Sequence, residues 1–265
     1  MIDMDAVTGI LRDAAREVIL PRARSLAEGE VMEKSPGELV TVVDREAEEV
    51  ITARLRELMD VPVVGEEAAS ADPSLLEAVR TEPVVWLVDP LDGTRNFVEG
   101  RREYGVMAAL VRGGETVAAW IVQPEWDRSY VAEHGSGAWR DGVRLRREAA
   151  PTDPGEMRGA VMSRFMAPET RERAEAAFPR FAEIGGGTHC CAVDYPMLCE
   201  GSQDFLLFNR TLPWDHAPGA LLLSELGGVA RRPDGSVYRP DDDALGLLGA
   251  TDETCWKTVH ELLLA

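Results

Sequence analysis

Apolar residues recur at three- and four-residue spacing from Asp5 to about Leu26, with Val7, Ile10, Leu11, Ala14, Val18 and Ile19 on one stripe. That period predicts an amphipathic helix, broken or kinked at Pro21. A second stripe, Val50, Ile51, Leu55, Leu58 and Met59, follows Asp44, which suits the N-cap position of that helix. Between the two, GEVMEKSPGELVTVVD is punctuated by glycine and proline. The pattern then shortens. VPVVGEE and VVWLVDPLDGT are unbroken apolar runs that end in acids, as buried strands do when they deliver polar groups at their carboxyl ends, where α/β sites gather. YGVMAALV and TVAAWIVQP flank Gly113-Gly114 as a hairpin, and RSYVAEHG with the Gly135 to Trp139 turn extends a meander.

Past Pro151 the alternation resumes, with a strand near GAVMS, a helix after Pro168, a strand near Phe181 and a helix through Pro196 to Gly201. DFLLF reads as a strand, WDHAPGALLLSELGG as a helix stopping at Gly227-Gly228, ALGLLGA as a strand and DETCWKTVHELLL as a last helix. The fold class is α/β (α+β), in two mixed halves, 1–145 and 146–265, joined near 140–155. No solenoid period appears.

A chain of 265 residues has enough material for a sizeable core, and 45% apolar with 28% charged residues excludes a disordered or fibrous chain. The formal charge of −19, from 47 Asp plus Glu against 28 Lys plus Arg, disfavours nucleic acid and anionic membranes as partners. No apolar run approaches the ~20 residues that span a bilayer, and MIDMDAVTG lacks the pattern of a signal peptide. A cytoplasmic location is expected. Cys190, Cys191, Cys199 and Cys255 have no disulfide-framework spacing. They read as small buried residues, with Cys190 and Cys191 pointing to opposite faces if their segment is a strand.

Carboxylates stand where buried elements begin or end: Asp44, Glu66 with Glu67, Asp89 with Asp92, and Asp215. Buried carboxylates are costly unless cations or hydrogen-bond donors meet them. In Asp89-Pro90-Leu91-Asp92-Gly93-Thr94, Pro90 fixes a turn that lets the two acids converge. Gly93 allows close backbone approach to a ligand and Thr94 adds a hydroxyl. Oxygen ligands of this kind favour Mg²⁺, Mn²⁺ or Ca²⁺ over zinc. The scattered histidines His134, His189, His216 and His260 lack ligand spacing and read as core or solvated residues.

GEE at 65–67, WLVDPLDGTRNF at 86–97 and PWDHAPGALLLSELGG at 213–228 resemble the glutamate motif and the two signatures of the inositol monophosphatase family. ELVTVVDREAEEVI at 38–51 and GSGAWRDGVRLR at 135–146 resemble its other blocks in the same order, so the likeness spans about residues 5–260. The resemblance implies an αβαβα layered sugar-phosphatase fold and a small phosphorylated substrate. It implies Mg²⁺, two or three per site, with Mn²⁺ able to substitute and Li⁺ inhibitory, and a homodimer.

Carried over by position, Glu66, Asp89 and the Leu91 carbonyl resemble ligands of one metal, and Asp89, Asp92 and Asp215 those of a second. Asp44 and Thr94 match the pair that orients the attacking water, Gly93 and Thr94 the phosphate-binding amides, and Glu67 the second acid of the glutamate motif. Lys34 matches a basic loop residue near the site.

Simple charge arithmetic agrees with this chemistry. Glu66, Asp89, Asp92 and Asp215 contribute about −4 when ionised and would repel a phosphate ester of about −2. Two divalent cations cancel the four carboxylates, and a metal pair ~3.5–4 Å apart clamps attacking and leaving oxygens while acidifying a water. Direct transfer of phosphate to water follows, and no motif of a covalent nucleophile is present.

The substrate is less defined. A glutamate seven residues before the WD aspartate contacts sugar hydroxyls in inositol phosphatases, and here that position is Phe208. Asn209 and Arg210 nearby offer amide and guanidinium groups, and Arg210 facing the leaving group would favour an acceptor-rich or anionic substrate end. Histidinol phosphate, 3′-phosphoadenosine 5′-phosphate and fructose 1,6-bisphosphate remain open alongside inositol phosphate. A protein that keeps this fold as a non-catalytic binding or regulatory partner is the alternative of another class.

Overall fold

The computed structural model describes residues 2–27, 29–35 and 38–265. The first helix, α1 (Met4–Ala14), passes into a π-helical turn at Ala15–Ile19 and a 3₁₀ turn at Leu20–Arg22, so it stops short of Leu26 at the Pro21 break. A hairpin of β1 (Val31–Ser35) and β2 (Glu38–Thr41) then leads into α2 (Val42–Leu58). The N-cap of α2 is Thr41, not Asp44. Asp44 sits at the third helical position and closes a capping box, accepting from the Thr41 N–H at 2.8 Å while the Thr41 hydroxyl accepts from the Val43 N–H at 3.1 Å.

β3 (Val63–Gly65) is followed by the short helices α3 (Glu66–Ala71) and α4 (Glu77–Thr81), then by β4 (Val84–Asp92) and α5 (Thr94–Val98). β5 (Gly105–Arg112), β6 (Glu115–Gln123), β7 (Arg128–Glu133), β8 (Gly137–Arg140) and β9 (Val143–Arg144) continue as the expected meander. These strands form a seven-stranded sheet in the order β3-β4-β5-β6-β7-β8-β9. Only the β3–β4 pair in it is parallel.

The second sheet draws on β10 (Arg158–Val161), β11 (Glu183–Gly185), β12 (Phe205–Phe208), β13 (Val229–Arg231) and β14 (Leu247–Ala250), in the order β11-β10-β12-β14-β13. β13 is too short to carry a period and went unread in the sequence. Helices α6 (Pro168–Ala177), α7 (Cys191–Cys199), α8 (Pro213–Ser224) and α9 (Glu253–Leu263) complete the fold.

Side-chain alternation along β4 produces the layers. Trp86 and Val88 join Leu11, Ile51, Leu55 and Trp120 beneath α1 and α2. Val85 and Leu87 face the other way, into a core shared with Tyr195 of α7, Leu222 of α8 and Leu206 of the second sheet. Beyond that sheet, Leu207 and Leu248 pack with Ala174 of α6 and Trp256 of α9. The result is helix, sheet, helix, sheet, helix, the αβαβα arrangement that the resemblance implies. Among the described residues no helix is long and apolar enough to cross a membrane.

Candidate active site

A β-bulge creates the centre of the site. Asp89 pairs with Met107 and Asp92 with Gly105, so three steps along β4 oppose two along β5. In a regular strand residues three apart point to opposite faces, and the extra residue at Pro90-Leu91 cancels that inversion. Pro90 has no N–H to lose from the ladder. Both acids consequently look toward the layer that contains α7 and α8. Gly93 follows with φ +84°, and a Cβ there would lie 2.7 Å from the Glu103 carbonyl oxygen, so this chain reversal needs glycine.

Three other elements converge on the same place. Glu66 opens α3 at the end of β3, Asp215 stands in the first turn of α8, and Cys190 precedes α7. One carboxylate oxygen each from Glu66, Asp89 and Asp215 lies within 4.8 Å of the others. Asp92 sits beside them, its Oδ2 accepting from the Ala192 N–H and, at 3.1 Å, from the Cys190 thiol. Cys190 and Cys191 therefore belong to the start of a helix rather than to a strand. The segment 189–194 supplies one wall of a cleft of about 660 Å³, with the acids on its floor.

Burial is the dominant electrostatic fact. Asp89 is 1% exposed, accepts from the Leu91 N–H at 3.0 Å, and is held well above the usual carboxylate range by desolvation and by Glu66, Asp92 and Asp215. Asp215 is raised for the same reasons, desolvation first, with Arg210 opposing. Asp92 rises to about 7, again through burial, which the hydrogen bonds from Ala192 and Cys190 partly offset. Carboxylates in this state are short of positive charge, and divalent cations on oxygen ligands fit that deficit.

Lys34 places a positive charge against this cluster: its Nζ donates to Glu66 Oε1 at 2.6 Å and to Glu67 Oε1 at 2.7 Å. Burial disfavours the Lys34 ammonium, and the two carboxylates overcome it and hold its pKa above the ordinary value. Glu67 is itself raised, first by desolvation, with the Lys34 hydrogen bond opposing.

Asp44 and Thr94 also meet. Thr94 Oγ1 lies 2.8 Å from Asp44 Oδ1 and 3.0 Å from the Leu91 carbonyl, and burial raises Asp44 to about 7. The Leu91 side chain is buried among the α1 and α2 residues, so its carbonyl is the part available to the site. Arg210 is at the rim, ion-paired with Glu38.

Several functional neighbours escaped the sequence reading. Glu48 accepts from the Glu67 and Ala68 N–H groups at 2.8 Å each, capping the helix that carries Glu66. Its signal was available: a charged residue on the apolar stripe of α2 beside Ala47 and Ile51. Asn96 bridges the carbonyls of Glu103 and Thr188 at 2.7 and 2.8 Å, tying α5 to the residue that precedes the 189–194 wall. His216 is fully engaged, with Nδ1 3.0 Å from the Tyr195 hydroxyl and Nε2 3.0 Å from the Arg210 carbonyl. Burial lowers its pKa to about 3, so it is a neutral brace with no nitrogen to spare for a metal. Phe208 packs against it with ring centres 4.6 Å apart.

The sequence matches the description "inositol monophosphatase family" over residues 3–265. It is 30% identical over 222 residues to the Nus factor SuhB of Xylella fastidiosa, covering 81% of this chain and 76% of that protein. It is also 30% identical over 203 residues to a fructose-1,6-bisphosphatase/inositol-1-monophosphatase of Thermotoga maritima, covering 75% and 73%. Among solved structures, the extragenic suppressor protein suhB of Bartonella henselae superposes with a TM-score of 0.83 at 25% identity, over 98% of each chain. Fold and sequence together place the chain in the inositol monophosphatase family. Its class is that of a phosphatase, a phosphoric monoester hydrolase.

Proposed function

We propose that the protein is a Mg²⁺-dependent phosphomonoesterase acting on a small phosphate ester by direct transfer to water. The observation that carries this reading is the meeting of Glu66, Asp89 and Asp215 within 4.8 Å at the floor of the cleft. Glu66, Asp89, Asp92, Asp215 and the Leu91 carbonyl would hold the cations. When bound, divalent cations supply charge neutralisation, acidification of a water and stabilisation of the leaving oxygen.

The chain's own groups do the rest. Thr94 lines the cleft with its hydroxyl donating to Asp44, so its oxygen is open to a hydrogen bond from water, and as the water's proton moves onto that oxygen the threonine's own proton moves to the Asp44 carboxylate. Asp44 is fixed by Thr41 as well as Thr94, which removes rotational freedom before reaction. The amides of Gly93 and Thr94, at the chain reversal that opens α5, are assigned to the phosphate oxygens. Lys34 holds Glu66 and Glu67 together, and its ammonium adds to the positive charge that an ester dianion meets.

Phosphate release from a panel of esters, with Mg²⁺ and with chelator, tests the reading. Release that requires Mg²⁺ and is lost in Asp89→Asn supports it, and equal release in chelator overturns it. The relatives called Nus factor SuhB favour a second reading, an added partner-binding role on the same fold. Absence of release from every ester would leave that reading in front.

A further inference from the structure

Phe208 withdraws hydrogen-bonding capacity from one part of the cleft, and a residue of the wall offers it in another. The Phe208 side chain is 5% exposed and packed between Tyr195 and His216, and its ring has no donor or acceptor for a hydroxyl group. His189, by contrast, is exposed and lines the cleft. His216 and His260 use ring nitrogens to hold the fold, the first on the Tyr195 hydroxyl and the Arg210 carbonyl, the second on the Pro233 carbonyl. Among the described residues no such partner meets the imidazole of His189.

The backbone that carries this ring is strained and held. His189 has φ +61°, in the left-handed region that is unfavourable for residues with a side chain, although histidine enters it more readily than most. It follows Gly185-Gly186-Gly187, and a fourth glycine would relieve the strain. Both neighbours are fixed. The Thr188 N–H donates to Asp194 Oδ1 at 2.9 Å, and the Thr188 carbonyl accepts from Asn96 at 2.8 Å. The Cys190 thiol donates to Asp92 at 3.1 Å, and the Cys190 carbonyl accepts from the Asp194 N–H at 2.9 Å. A costly conformation at a rigid point, with an imidazole in the cleft as its product, is the pattern of a functional position. The same contacts give its place. A Cβ on Gly93 would lie 3.1 Å from Cys190 Cβ, so His189 is one residue from the wall of the turn assigned to the phosphate. The acids form the floor, and an exposed wall residue lies nearer the mouth, on the side of the ester away from them.

We infer that His189 is a specificity-determining residue whose imidazole hydrogen-bonds hydroxyl groups of the leaving group, which Phe208 cannot do. In its neutral form an imidazole has one N–H donor and one acceptor nitrogen, the complement of a hydroxyl that both gives and receives. The inference rests on the phosphatase reading and narrows its substrates to phosphate esters of polyols with hydroxyls close to the ester bond.

Two esters test it: a hexitol monophosphate, and phenyl phosphate, whose leaving group has no further hydroxyl. The quantity read is kcat/KM for the first divided by kcat/KM for the second. His189→Gly is expected to lower that ratio by about 2- to 12-fold, the worth of one neutral hydrogen bond, mainly through KM for the hexitol ester. Its Tm should not fall, because glycine adopts the left-handed backbone without strain. His189→Asn, which tolerates the same backbone and carries an amide donor and acceptor, should recover part of the ratio. Loss of selectivity without loss of stability is a result that a merely structural histidine would not give. A ratio unmoved in His189→Gly, an equal fall on both esters, or a wild type that cleaves phenyl phosphate and not the hexitol ester overturns this inference alone. No phosphate release from either ester by the wild type overturns the phosphatase reading as well.

Discussion

Asp44 Oδ1 and Thr94 Oγ1 stand 2.8 Å apart although 50 residues separate them in the chain. Thr94 has one hydroxyl proton and two acceptors within reach, Asp44 and the Leu91 carbonyl at 3.0 Å. When Asp44 is ionised the carboxylate takes that proton, and the hydroxyl's lone pairs turn to whatever lies in the cleft. Thr94→Val and Asp44→Asn each keep shape while removing this relay. Each is expected to lower kcat by about 10²–10⁴-fold, the range of a general-base contribution, with little change in thermal stability for Thr94→Val. Steady-state phosphate release checks it, and near-normal kcat in both variants would remove the pair from the reaction.

Burial raises Asp44 and Asp92 to about 7 and Asp194 to about 6. A carboxyl group raised in the folded state binds its proton more tightly there than when unfolded. Its favourable contribution is whole below the unfolded value near 4 and is lost as pH climbs through the folded one. In chelator, therefore, stability should decline between about pH 4 and pH 7. A loss of a few kcal/mol would lower Tm by ~5–10 °C in a chain of this size. Mg²⁺ should flatten the decline, because a bound cation stabilises the ionised form. Melting curves from pH 4.5 to 8 with and without Mg²⁺ read this directly, and a flat profile in chelator contradicts it.

Gly93→Ala places a Cβ 2.7 Å from the Glu103 carbonyl at φ +84°. Left-handed backbone costs a residue with a side chain roughly 1–2 kcal/mol, before the clash is counted. The expected result is a lower Tm together with loss of phosphate release, since the chain reversal also places Asp92 and Thr94. Unchanged stability and rate would show that the loop relaxes freely.

Glu48→Ala leaves the Glu67 and Ala68 N–H groups without their side-chain acceptor, at a cost of about 1–3 kcal/mol for unsatisfied groups. Because these amides open the helix that carries Glu66, Mn²⁺ binding should weaken along with stability. Gly65→Ala should do the same, since its Cβ would run into the Glu48 carboxyl. Titration of Mn²⁺ by electron paramagnetic resonance measures the first effect. Undiminished affinity in both variants would separate Glu48 from the cation site.

The elements and most of the acids were legible along the chain because their signals are local. Apolar runs ending in GEE and DPLDGT announced β3 and β4, and the stripe of α2 announced a buried face. Reading Asp44 as an N-cap missed by three positions, since Thr41 and Asp44 are both good capping residues and only the backbone tells which one is extended. Cys190 and Cys191 looked like strand residues because an apolar helix start and a strand share the same short pattern.

What the sequence by itself determined was an alternation of helices and strands, a deficit of positive charge at Glu66, Asp89, Asp92 and Asp215, and hydroxyl and glycine neighbours suited to phosphate. Periodicity and local turn chemistry suffice for that. Only the tertiary structure decided that a one-residue bulge brings Asp89 and Asp92 to one side and that Glu48 supports α3. The bulge depends on how β4 pairs with β5, and Glu48 meets amides 19 and 20 residues away, so packing between elements, not any nearby pattern, brings these groups together.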